Sequence, residues 1–392
     1  MSTMRRKEAR FLARNNPVDF QVAGSAGDHL FDAAGKRYID FLTGWCVGNL
    51  GWARPEIREA IRGFEGPDYV YPGFSYAPWV ELAELLAKVT PGPVEKCFRA
   101  TGGSEAVELA LQAAMIHTGR RKLLSIEDSY HGNTLGVLSI GASEARDTIP
   151  NLLQNCHKLA SPLDADALSR LETQLRHRDV AAFVMEPVII NLGVLIPEPE
   201  FMTGLQELCR RYGTLLVADE VATGFGRTGR LFASELFGLE PDIVCLSKAV
   251  TGGGAGLGAM VASAEVGESM EKKGSFYSTY GWHPLSTAVA IASVRYLVRD
   301  EKRLMEGVEA TSGLFRQRLE GMRFPEPPEL RIRGLAMGVD VHDPDYARRV
   351  RDRCREGGLI LSAEDTTLLL LPRLEVDHAA ALEGLEILEA CL

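Results

Sequence analysis

Four short stretches carry residue types that can do chemistry. In DIVCLSKAVTGGGAGLG, an apolar run from Ile243 to Leu246 leads through Ser247 to Lys248 and then to a glycine cluster. Lysine is rarely buried unless it is paired or chemically employed. In a desolvated pocket it becomes a usable amine that can condense with a carbonyl; in an open loop it is only a solvated charge. In LLVADEVATGFGRTG, Asp219 ends an apolar run and precedes a glycine-rich turn. A carboxylate there holds a cation, caps a helix or pairs with Arg227. In RATGGSEAVELALQAA, Gly102 and Gly103 lead into a helical stripe with Ser104 in its first turn. Backbone N–H groups and a hydroxyl so placed can cradle a phosphate, or the serine can simply cap the helix. In SIEDSYHGNTLG, Tyr130, His131 and Gly132 follow an apolar run. The tyrosine there can stack on a planar ring or stand at a rim with its hydroxyl in water.

The elements that must position these residues alternate along the chain. KLLSIE, AAFVME, TLLVAD, DIVCLS and AMVASA are strand candidates, most of them apolar throughout. Such runs mark strands covered on both faces, so the expected fold is α/β, with a mainly parallel sheet flanked by helices. EFMTGLQELCRRYG reads as an amphipathic helix capped by Gly213, joining two of these strands in a βαβ unit. Glu186 and Asp219 then stand at strand C-terminal ends, the side on which open α/β sheets bind ligands. From about residue 300 the pattern changes to helix, strand, helix, two short strands (LILS and TTLLLL) and a last helix from about 377. That texture predicts a smaller α+β domain. HLFDAAGKRYIDFLTG reads as a hairpin around Ala34 and Gly35, so the expected division is 1–60 packing with the small domain, 61–300 as the large domain and 301–392 as the small one.

Composition excludes several classes. A chain of 392 residues with 46% hydrophobic and 24% charged residues can build a large core, and disorder is not expected. A net charge of −10 lacks the basic face that nucleic acid requires. The seven cysteines are odd in number and scattered without a CxxC pair, so neither a disulfide framework nor a metal site is indicated and a cytoplasmic location is expected. MSTMRRKEARFLARNN is basic and compatible with an amphipathic helix, but it lacks a secretory apolar core, and Glu8 argues against a transit peptide. No apolar stretch is long enough to span a membrane.

One cofactor asks for all four stretches together. Pyridoxal 5'-phosphate (PLP) needs a lysine for its aldehyde, a carboxylate for its ring nitrogen, a stacking partner and a phosphate cradle. From about Asp32 to Leu374 the sequence resembles the class III, ornithine-type aminotransferases of fold type I. The resemblance is carried in order by FLTGWCVGNLGWARPEIREAI, TGGSEAVELA, SYHG, MEPV, ADEVATGFGRTG, LSKAVTGG, STYGWHPLSTAVAIA and RIRGLAMGV. It implies that Lys248 forms the Schiff base and shuttles a proton, and that Asp219 pairs with the pyridinium nitrogen. Gly103 and Ser104 would bind the phosphate, with His131 beside the cofactor, Tyr130 on one ring face, Val221 on the other and Glu186 near the phenolic oxygen. Thr279 would reach the phosphate of a neighbouring subunit, which implies a homodimer with shared sites. The implied reaction moves an amino group from an amine or omega-amino acid donor to a 2-oxo acid by a ping-pong route.

The sequence also departs from the family. Gly102, Ala222 and Trp52 stand where serine, glutamine and histidine are usual, and Leu369 stands where many members carry an arginine that grips a substrate carboxylate. Arg373 is a candidate substitute, or a surface arginine. Trp45, Tyr71, Phe74 and Tyr76 are expected as pocket aromatics or as interface core. MEPVIINLGVLIP is similar to the glutamate-1-semialdehyde aminomutases, an alternative on the same scaffold. A nucleotide-dependent oxidoreductase is a remote alternative, because TGGGAGLG contains G-x-G-x-G; a dinucleotide fingerprint would run straight into a helix, and here a strand-like run follows.

Overall fold

The structure is a computed structural model that describes residues 7–8, 10–13 and 20–392, so the basic opening stretch falls largely outside the described residues. The hairpin expected around Ala34 and Gly35 forms. Strands β1 (Val22–Ala26), β2 (His29–Asp32) and β3 (Arg37–Asp40) pair antiparallel in sequence, and Gly35 turns between the last two with φ of +83°. That conformation costs glycine nothing, because it has no Cβ.

The apolar runs come together in one seven-stranded sheet. Its members are β4 (Val94–Ala100), β5 (Lys122–Ile126), β6 (Cys156–Leu159), β7 (Val180–Met185), β8 (Leu215–Asp219), β9 (Ile243–Leu246) and β10 (Gly258–Ser263), in the spatial order β4-β10-β9-β8-β7-β5-β6. The five strands from β9 to β6 run parallel, and β10 is antiparallel to both its neighbours. Every residue of β7, β8 and β9 is buried because helices cover both faces. Val184 and Val217 point to one side, against Val107 and Ala110 of the helix Gly103–Thr118. Phe183 and Leu216 point to the other, against Phe201 and Leu205 of the helix Pro199–Tyr212. This alternation is the period of two that a pleated strand imposes. The second helix ends at Gly213 in the left-handed conformation and returns the chain to β8 beside β7, the expected βαβ unit.

The C-terminal part contributes β11 (Glu329–Arg333), β12 (Ala336–Asp340), β13 (Leu359–Ile360), β14 (Ser362–Glu364) and β15 (Thr367–Leu370), then a closing helix, His378–Cys391. Asp377 caps that helix by accepting the N–H groups of Ala379 and Ala380. β11, β12, β15 and β14 form one antiparallel sheet, while β13 pairs in parallel with β3. The two ends of the chain are thus joined through one sheet. No helix among the described residues is long and apolar enough to cross a membrane.

Candidate active site

The C-terminal ends of β7, β8 and β9 and the start of the helix Gly103–Thr118 face one cavity of about 160 Å³. Asp219 and Glu186 stand on its floor, both nearly water-free, and Lys248 enters just past β9. Lys248 has φ of +46°, a conformation that is strained for an L residue.

The glycines after Lys248 have a different purpose from the one their position suggests. A Cβ on Gly253 would stand 3.0 Å from the Trp52 ring, and one on Gly254 2.5 Å from Ile57 Cγ2. The backbone is therefore bare where it packs under neighbouring side chains, not where it passes Lys248. A strand, β10, follows the glycines instead of a helix, which removes the dinucleotide reading.

Asp219 is held from two sides. Its Oδ2 lies 2.7 Å from His131 Nδ1, and its Oδ1 accepts the Val221 N–H at 3.1 Å. His131 Nε2 lies 3.0 Å from Ser129 Oγ, whose hydroxyl donates to the Ile126 carbonyl at 2.8 Å. His131, expected beside the cofactor, therefore reaches the cavity wall but spends a ring nitrogen on Asp219. Arg227 does not pair with Asp219. It is fully buried and donates to the Leu335 and Pro372 carbonyls, to Thr43 Oγ1 and to Asn49 Oδ1.

The cradle is shaped by close contact. The helix is capped by Gly102 in an extended conformation, without a side-chain cap, so Ser104 is not the capping residue and the first N–H groups of the helix have no side-chain acceptor. A Cβ on Gly103 would stand 3.0 Å from Val221 Cγ1, and one on Gly132 2.3 Å from Ser104 Oγ. Tyr130 is half exposed at the cavity mouth, its hydroxyl accepting from Asn133 Nδ2 at 3.0 Å. Glu186 Oε2 accepts the Ile190 N–H at 3.4 Å. Burial, with the negative charge of Asp219 added, pushes its carboxyl well above the usual range, against the opposing pull of Lys248.

Trp45 lines the same cavity from an unusual backbone. Thr43, Gly44, Trp45 and Cys46 have φ of 48°, 61°, 61° and 65°, a left-handed turn in which only Gly44 is free of strain. Asp40 braces it by accepting the Leu42 and Thr43 N–H groups at 2.9 Å, together with Trp52 Nε1 at 2.8 Å. Burial pushes the Asp40 carboxyl up, and these three donors pull against that rise.

Two expected residues, Arg373 and Tyr71, lie elsewhere, and Thr279, expected at a neighbouring subunit's phosphate, stands outside this cavity. Arg373 is not directed into the cavity: its guanidinium grips Asp28 at 2.5 and 2.8 Å in a fork that links the last loop to β1 and β2. Tyr71 is exposed in an aromatic group with Phe74 and Tyr277, at centroid distances of 5.3 and 6.4 Å. Thr279 lines a separate open hollow of about 630 Å³ on the other side of Gly103 and Ser104. Sequence reasoning missed Asn191 and Ile190, which come to the wall on the turn after β7. Asn191 accepts the Tyr130 N–H at 3.2 Å and donates to the Asp128 carbonyl at 2.9 Å, and nothing in INLG announces that.

These groups fit PLP: an amine, a buried carboxylate, flanking faces from Tyr130 and Val221, and a helix N-terminus kept open by glycine all converge on one space. Residues 11–392 match the family described as aminotransferase class-III. The chain belongs to the class III aminotransferases. It is 34% identical over 362 residues to the acetylornithine aminotransferase of Methanosarcina mazei, covering 91% of this chain and 88% of that one. It is 31% identical to a 5-aminovalerate aminotransferase of Pseudomonas aeruginosa, covering 100% and 97%. Among solved structures, an amine transaminase from an uncultivated Pseudomonas species in its PLP-bound form superposes with a TM-score of 0.89 at 28% identity, covering 97% of each chain. A transaminase from a marine Virgibacillus superposes with a TM-score of 0.92 at 25% identity, covering 100% and 98%. The fold is therefore fold type I, and this class III enzyme is PLP-dependent and transfers amino groups. Nothing in these matches supports the aminomutase or oxidoreductase alternatives.

Proposed function

We propose that amino transfer in this chain is carried by Lys248, with Asp219 and Glu186 supporting the cofactor. The observation that carries the reading is the convergence of Lys248, Asp219 and the start of the helix at Gly103 on one cavity. Bound there, PLP supplies an aldehyde for the amine and a ring that withdraws electrons from the neighbouring C–H bond. Asp219, oriented by His131, would favour the protonated ring nitrogen through its negative charge. The glycines leave the N–H groups of Gly103 and Ser104 open for the phosphate. Tyr130 and Val221, which both line the cavity, would face the two sides of the ring. Glu186, whose carboxyl burial pushes upward, would stand near the phenolic oxygen. Lys248 would hold the cofactor through its amine and, when free, would serve as the base and acid that moves the proton at the reacting carbon. The buried walls keep water from that transfer.

The finer points belong to the same proposal. The chain divides into 1–60, 61–300 and 301–392, a division supported by the pairing of β13 with β3. It works as a homodimer in which Thr279 serves the neighbouring subunit's phosphate. The exposed Tyr69, Tyr71, Phe74, Tyr277 and Tyr280 beside the Thr279 hollow supply apolar surface for that contact. The acceptor is a 2-oxo acid, and the location is the cytoplasm, which suits seven free thiols.

The test is Lys248→Ala. Borohydride should fix the cofactor covalently to the wild-type chain and should leave it extractable from the variant. Positioned acid–base groups contribute roughly 10²–10⁴-fold, so transfer by the variant should fall below about 1% of wild type. Retained turnover would mean that a group other than Lys248 moves the proton.

A further inference from the structure

We propose that Arg227 is a positioning residue for amino transfer: from outside the cavity it fixes the left-handed turn that carries Trp45 into the cavity wall. The inference rests on the aminotransferase function proposed for Lys248, since it concerns how that site is shaped. Arg227 does not line the cavity, yet it is fully buried, and among the described residues no carboxylate forms an ion pair with it. One terminal nitrogen donates to the Leu335 and Pro372 carbonyls at 2.9 and 2.5 Å. The other donates to Thr43 Oγ1 at 3.3 Å and Asn49 Oδ1 at 2.6 Å, while the Nε–H meets no acceptor among the described residues. Burial works against the charge, and the nearby Cys46 and Asp40 work for it. A buried cation held by neutral acceptors is expensive, and such groups can serve to specify one conformation.

The conformation specified here is the segment 43–49. Thr43 opens the turn and is gripped twice. Asp40 accepts its N–H at 2.9 Å, and its hydroxyl accepts from Arg227 while donating to the Leu371 carbonyl at 2.8 Å. Asn49 closes the segment with its carbonyl oxygen on Arg227 and its amide on the Gly224 and Phe225 carbonyls at 3.3 and 3.2 Å. Both ends of the segment are thus fastened to one guanidinium, and Trp45 stands between them. Thr43 to Cys46 all have positive φ, a backbone that persists only while its surroundings hold it. Gly224 and Phe225 follow Val221 and Ala222, which also line the cavity, so the same node ties two stretches of the wall together. A lysine at 227 keeps the charge but replaces a planar fork by a single ammonium, which cannot serve acceptors on four segments at once.

Trp45 reports its own placement. In the apoprotein, the difference in near-ultraviolet circular dichroism between wild type and Trp45→Ala isolates the Trp45 signal. The same difference taken in an Arg227→Lys background should lose more than about half of it, as happens when an aromatic side chain loses fixed packing. With 5-aminovalerate and N-acetylornithine as donors, Arg227→Lys should raise KM at least about threefold and change kcat by less. That rise should vanish once Trp45 is alanine, because the two substitutions then remove one interaction. Thr43→Val keeps the branched shape without the hydroxyl and should reproduce both effects, whereas Thr43→Ser should restore the wild-type behaviour. This pair decides the matter if Arg227→Lys does not fold. An undiminished Trp45 signal in folded Arg227→Lys or Thr43→Val, or a KM rise of equal size with and without Trp45, would overturn the inference and leave the aminotransferase reading intact. Failure of borohydride to fix PLP to the wild-type chain would overturn that reading, and with it any part for Arg227 in transfer.

Discussion

Gly258, the first residue of β10, sits back to back with the phosphate cradle proposed at Gly103 and Ser104. A Cβ there would stand 2.3 Å from the Gly102 carbonyl oxygen, 2.6 Å from its carbon and 2.9 Å from its Cα. All three are backbone atoms, so no rotamer change relieves the clash in Gly258→Ala. On the other side, the Gly258 carbonyl accepts the indole N–H of the fully buried Trp282 at 2.8 Å, which anchors β10. The cradle must therefore move, by about 1 Å to restore an ordinary contact, and a misplacement of that size is enough to degrade a binding geometry. The Gly102 carbonyl also accepts the first helical hydrogen bond, from the Ala106 N–H at 3.0 Å, so the shift tilts the N–H groups of Gly103 and Ser104. Overpacking of this kind costs about 1–3 kcal/mol, which is roughly a fivefold to 150-fold loss of PLP affinity if the cradle holds the phosphate. Titration of the apoprotein with PLP, followed by absorbance, reads that loss directly. Gly307→Ala is the control: nothing lies within 4 Å of the added Cβ, and a helical alanine should leave affinity unchanged while raising Tm. A folded Gly258→Ala protein that binds PLP within about twofold of wild type would refute the placement of the phosphate at Gly103 and Ser104.

Two further outcomes follow from the same geometry. Glu186 has a folded-state pKa raised by burial, so the unfolded chain loses its proton first as pH rises and folding stability declines from the ordinary carboxyl range upward. Glu186→Gln should remove that decline, and in apoprotein melts the variant should match wild type near pH 4.5 and exceed it near pH 7.5; a pH-independent difference would contradict the shift. Arg373→Met should cost about 3 kcal/mol in chemical denaturation, because the buried Asp28 loses its fork, while KM for donor and acceptor stays within about threefold. A large rise in KM would return Arg373 to the substrate site.

The parts of the fold that were legible are those that burial forces into one pattern. β7, β8 and β9 read as strands because helices cover both faces and every position must be apolar. β4 and β6 escaped notice because they are the two edges of the sheet: VEKCFRA and CHKL place Glu95, Lys96, Arg99 and His157 where an edge meets water or a charged neighbour. Lys248 and Asp219 stood out as charges at the ends of apolar runs, which is a local anomaly. The fate of Arg373 depended on Asp28, far away in the chain, and no local pattern could carry that pairing. The packing of the glycines after Lys248 was not legible, since their partners Trp52 and Ile57 arrive from another segment.

The left-handed turn at Thr43–Cys46 also constrains how this enzyme can change. At position 45 the backbone itself filters substitutions: β-branched residues are nearly excluded at φ of 61°, whereas glycine and asparagine sit there more easily than tryptophan does. Replacements that shrink Trp45 to glycine or asparagine would enlarge the cavity and ease the backbone in the same step. The route from small to bulky donors is therefore short at this residue, with the eased backbone offsetting part of the packing lost, while valine or isoleucine lie off the path.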